Sequence, residues 1–157
     1  MSGDELAVAG RALARAVEEA LPGWVERSVE RLLVAFSGQA DRAAMDEARA
    51  AGRRAADDVG GRVRALLEAD VDDQGTNPLA VLRSAVPYPT EVLARAGVPP
   101  VVRDDFSGER FPDDVYDLTP ASFADVDPAL HRLGLEWGAA KAWAHMRRHG
   151  RRPGGTP

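Results

Sequence analysis

Cysteine is absent from the 157 residues. Its absence excludes disulfides, thiolate metal ligation and a cysteine nucleophile, and it fits a reducing compartment. Lysine occurs once against nineteen arginines, which together with abundant alanine reads as a coding bias toward GC-rich codons rather than as selection for bidentate contacts. No uninterrupted apolar run approaches the ~20 residues that a membrane span needs. The opening MSGDELAVAGRALARAVEEA carries acids and arginines throughout and has no apolar signal core, so the expected address is the cytoplasm. Catalytic signatures are missing too: there is no G-x-S-x-G, no phosphate-binding loop and no G-x-G-x-x-G.

What the chain does carry is unevenly distributed charge. Residues 1–72 sum to −4, residues 73–128 to −6 and residues 129–157 to +5, for a net charge of −5. The protein reads as an acidic body with a basic C-terminal end. A chain this long suffices for one domain with its own core, expected over residues 1–149 with a disordered basic tail at 150–157.

Residues 3–72 read as helix nearly throughout, because Ala, Leu, Arg and Glu dominate and apolar positions recur at threes and fours. Three long helices are expected. The first spans about residues 3–21, with Leu6, Leu13, Val17 and Leu21 inward. Pro22-Gly23 should break the chain there, and the second helix should run to Phe36 with Val25, Val29, Leu32, Leu33 and Phe36 inward. The third is expected over about 41–71, lined by Ala48, Gly52 and Ala55 in its first half, with Gly60-Gly61 as a kink, a break or a hinge.

Beyond residue 77 the texture changes, since ten of the eleven prolines and seven of the nine aromatics lie there. Asn77-Pro78 predicts a short helix to Val86, and Pro89-Thr90 another that ends at Gly97. Residues 98–118 have no clear period; extended pieces around 101–103 or 114–116 are too short to make a sheet. Thr119-Pro120 and Asp127-Pro128 predict one turn at 120–124 and then the closing helix.

That closing helix is apolar on two opposite sides. At 100° per residue, Leu130, Leu133, Trp137, Ala140 and Ala144 fall on one face, and Leu135, Ala139, Ala142, Trp143 and Met146 fall opposite. An ordinary surface helix has one apolar stripe, so this one either packs centrally within the fold or offers its second face to a partner. Trp137 is assigned to the core. Leu135, Ala139, Trp143 and Met146 are assigned to a candidate interface with a protein partner or a second copy.

Five other chemistries stand beside this reading. Acids crowd residues 104–127 with Arg110 among them, but the intervening aromatics want burial and several aspartates suit caps and turns. The run Asp70–Gly75 imitates a calcium loop and fails at the twelfth position, where Val81 stands in place of glutamate. A ligand or metal site at Asp113, Asp114, Tyr116 and His131 is the better version of the acidic reading, because carboxylates, a phenol and an imidazole converge in under 20 residues. His145 and His149 share a face at ligand spacing but sit among arginines, which oppose a cation. Nucleic acid could meet Arg147, Arg148, Arg151 and Arg152, yet residues 1–128 sum to −10 and would repel phosphate. The sequence therefore predicts an all-α bundle, without a cofactor or a membrane segment, that acts as an interaction or assembly module.

Overall fold

The computed structural model describes residues 3–69, 77–101, 111 and 113–149. Among them there are helices and turns and no strand. Helix α1 runs over Gly3–Ser37 and continues through Pro22, so the first two expected helices are one. The reason is tertiary. Leu21, Trp24 and Val25 on either side of the proline are all buried, and packing of that kind outweighs the ~3 kcal/mol that an interior proline costs. Ser37 and Gly38 end the helix: Gly38 has φ 85° and donates its N–H to the Val34 carbonyl at 2.8 Å.

Asp41 caps α2, which spans Arg42–Leu67, by accepting from the Ala44 N–H at 3.1 Å. This helix buries Ala44, Ala48, Ala51, Gly52 and Ala55 in its first half and Val59, Val63 and Leu67 in its second. The small residues let α1 come close. A Cβ on Gly52 would lie 2.8 Å from the Cα of Pro22, so the proline that should have broken α1 is where the two helices nearly touch. Gly60-Gly61 does not interrupt α2. Gly60 lies under the side chain of Glu18, which pairs with Arg64 on the next turn of α2. The helix ends four residues earlier than expected, and the Asp70–Gly75 run lies outside the described residues.

Asn77 caps α3 (Pro78–Leu82) by accepting from the N–H groups of Leu79 and Ala80, as its Asn-Pro pair predicts. A 3-10 turn at Arg83–Ala85 leads into α4, Pro87–Arg95, which ends before Gly97 at φ 80°. Leu82, Ala85, Val92 and Leu93 are buried in the common core. Tyr88 ties α4 to α2 by donating to Asp58 at 2.5 Å, and holding that proton against a carboxylate pushes the phenol up to about 12.

Of the extended pieces foreseen at 101–103 or 114–116, residues 102–103 lie outside the described residues and Val115 and Tyr116 lie in a turn, whose Val115 carbonyl accepts from the Val101 N–H at 2.9 Å. The short turn foreseen at 120–124 is α5, Phe123–Val126, and it starts at a Ser122–Asp125 capping box instead of Thr119-Pro120. Helix α6 then covers Ala129–His149, with Asp127 accepting from the Ala129 N–H at 2.9 Å. Arg27 of α1 donates to the Val126 carbonyl at 2.8 Å, and farther along Trp137 comes against Gly10. Thus α6 runs back along α1, antiparallel to it. The fold is the expected all-α bundle, in which α1 and α2 pack on each other and α6 closes on α1. The expectation of a central α6 is met on one side only, because neither α2 nor α4 reaches its far face.

Candidate functional site

The inward stripe of α6 is well covered. Leu130 is 1% exposed and Trp137 8%, with Leu133 packed on the core edge. Lys141 adds a cation over the Trp137 ring, 5.1 Å from its centroid. The ring of Phe123 lies across Gly134 so closely that a Cβ there would sit 2.7 Å from it. Glycine at 134 is what lets α5 lie flat on α6.

The outward stripe has no such cover. Leu135 is 62% exposed, Met146 53% and Trp143 45%, and Ala139 and Ala142 between them are exposed as well. A Cβ on Gly138 would meet nothing within 4 Å. The result is an apolar strip with a leucine at one end, a tryptophan and a methionine at the other, and small residues in the middle. Arg132 and Glu136 form an exposed pair along one margin at 2.9 Å, and Arg147 continues that margin. An exposed pair of this kind is worth little to stability. The sequence brought these residues to one face correctly; what it could not say was whether the chain itself would bury them.

Phe36 corrects a different expectation. It is 52% exposed, not inward, because it lies in the last turn of α1, and Val34 beside it is 46% exposed.

The acidic alternative is placed as follows. Asp114 is buried, and its Oδ2 accepts from the N–H groups of Leu118 and Thr119 and from the Thr119 hydroxyl, each at 2.6 Å. Those three bonds fold the loop back on itself, and they hold Asp117 at φ 58°, a left-handed conformation that aspartate tolerates. Asp117 is therefore a turn residue, one of the two structural uses expected of these aspartates. The other Asp114 oxygen, Oδ1, is buried without a hydrogen-bond partner. Tyr116 is also buried, its hydroxyl donating to the Val98 carbonyl at 2.6 Å, and burial pushes its pKa up. Asp113 and His131 are exposed. Among the described residues no hydrogen bond or ion pair links these four, and no group of three or more His, Asp or Glu side chains is arranged to hold a metal ion. The signal available in sequence was Thr119-Pro120 five residues after Asp114, a pattern that suits a carboxylate bracing a turn.

Two recesses flank this loop. One, of about 480 Å³, is lined by Trp24, Arg27, Ser28, Arg31, Thr119 and Asp125, among others. Its polar groups are largely committed, Arg27 to Val126 and Asp125 to the N–H groups of Ala121 and Ser122. The other, of about 400 Å³, lies between Arg83, Pro87, Phe111 and Asp114, with Arg83 stacked 5.2 Å from the Phe111 ring centroid and donating to the Pro120 carbonyl. Both arginines fasten the connector to the helices. Of the basic tail, Arg147 is exposed, while the side chain of Arg148, and Arg151 and Arg152 entirely, lie outside the described residues, as do Asp104, Asp105 and Glu109. No helix among the described residues is long and apolar enough to cross a membrane.

No protein-family model, curated protein or solved structure matches the chain. The functional reading rests on its own surfaces. Of these, the outer stripe of α6 is the one whose residue types are at odds with their exposure, since scattered apolar side chains are ordinary on a surface but a continuous strip ending in tryptophan is not.

Proposed function

We propose that this protein is an interaction or assembly module and that the outer stripe of α6 is its docking face. The single observation behind the reading is the exposure of Leu135, Trp143 and Met146 on one line of a helix whose other line is buried. Tryptophan supplies a large rigid anchor, methionine adapts to an irregular partner, and the alanines between them permit close approach of another helix. The face is carried by a helix held along α1, so it is presented without an ordering cost.

Photocrosslinking from the middle of the stripe tests this. A benzophenone side chain placed at Ala139 is expected to yield, in native extract, an adduct heavier than the monomer, and Trp143→Asp is expected to remove that adduct while leaving the melting temperature of the dilute monomer unchanged. Recovery of the monomer alone, or an adduct indifferent to Trp143→Asp, would overturn the proposal.

A further inference from the structure

We infer that the occupant of this face is the same face of a second copy, with the two α6 helices antiparallel; the inference rests on the docking-face reading above. The argument is one of charge and register. Helix α6 begins beside Asp125 and Asp127 and carries Arg147 and Arg148 in its last turn. A parallel pair would bring two basic ends together. An antiparallel pair separates them and brings the Arg147 of each helix toward the Glu136 of the other.

Register agrees with orientation. In a two-fold antiparallel pair each flank of a helix meets the same flank of its copy, as two-fold symmetry requires. Glu136 and Arg147 lie on one flank of α6, eleven residues apart, so aligning Leu135 with Met146 of the partner subunit sets Ala139 against the partner's Ala142 and Glu136 alongside the partner's Arg147. Every such contact forms twice. The stripe from Leu135 to Met146 spans about 16 Å, and its alanine centre suits the ~8 Å end of the range of helix separations. Trp143 then lies over the margin of the junction, where it excludes water from the two charge pairs. A lipid surface suits the strip less well, since interfacial helices are flanked by cations and here Glu136 stands between Arg132 and Arg147.

Sedimentation equilibrium on the full chain, from about 1 to about 200 µM, tests the inference. The wild type is expected to follow a monomer–dimer equilibrium, and Leu135→Asp or Trp143→Asp to weaken it by tenfold or more (about 1.4 kcal/mol or above). Glu136→Arg and Arg147→Glu are each expected to weaken it by roughly threefold, and the two together to restore it, an outcome that an antiparallel pair alone explains. Failure of the double exchange to restore association would overturn the antiparallel arrangement. A wild type that stays monomeric to the top concentration would overturn self-pairing, and if the Ala139 crosslink then captured a heavier foreign species the docking face would stand. A monomer that sediments with phosphatidylserine vesicles would overturn self-pairing in favour of a membrane surface. A dimer indifferent to Leu135→Asp and Trp143→Asp would overturn both readings at once.

Discussion

Trp137 and Trp143 stand six residues apart on the same helix, and their surroundings are opposite. Trp137 is 8% exposed, pressed against Gly10 of α1 under the cation of Lys141, whereas Trp143 is 45% exposed. Two glycines repeat the contrast. Gly134 has the Phe123 ring upon it, and Gly138, one turn on, has open space. Composition makes both faces of α6 core-like, so the difference between them comes from what the rest of the chain can reach. Helix α1 supplies one groove. The described connector aromatics are turned elsewhere: Tyr116 inward to Val98, Phe111 against Arg83, and Phe123 onto the inner margin at Gly134.

The comparison can be broken first at Trp137. Trp137→Ala should cost about 3–5 kcal/mol by denaturant unfolding, since it empties a buried indole site. A cost below ~1 kcal/mol would mean that the inner face is no more a core than the outer one. Gly134→Ala should destabilise by about 1–2 kcal/mol because the new methyl must displace Phe123, even though alanine is the better helix former. Gly138→Ala should do the reverse, stabilising by about 1 kcal/mol, because propensity acts there without a clash. The smallest effect belongs to Trp143→Ala, within about 0.5 kcal/mol for the monomer at micromolar concentration or below. If the two glycine substitutions moved stability in the same direction, the seating of Phe123 on Gly134 would be refuted. Away from α6, the raised phenol of Tyr88 sets an alkaline limit. Folding keeps that proton, so the contribution of the Tyr88–Asp58 bond is whole below pH 10 and is lost as pH rises through about 12. Asp58→Asn should return the Tyr88 titration toward 10, read from tyrosinate absorbance.

Much of the fold was legible because it is local. Period located α2 and the two stripes of α6, and cap and proline signals located α3, α4 and the start of α6 within two or three residues. Two misreadings share one physical cause. Pro22-Gly23 is a sound local signal for a break, but the long-range burial of Leu21, Trp24 and Val25 and the approach of Gly52 overrode it. Gly60-Gly61 reads in isolation as a kink or a break and is explained by Glu18 passing over Gly60, a contact forty-two residues away in sequence. Of the candidate sites, the two stripes of α6 were readable from spacing, while their unequal fates were not, because burial depends on which other elements arrive. Asp114 was selected for its charge and proves to be a loop brace, since a carboxylate and two following N–H groups satisfy each other whenever the turn allows.

Helices α1 and α2 are joined by four residues and close on each other along a seam of buried alanines and glycines, so they form a contact-dense unit with little chain between its halves. Helix α6 meets that unit through a single face and from the far end of the sequence. It should therefore open as a separate cooperative segment, with amide exchange in Leu130–Ala144 governed by a lower free energy than exchange in α1 and α2. If a second copy covers the outer face, that protection should rise with protein concentration, so the exchange rate of a single helix would report on assembly.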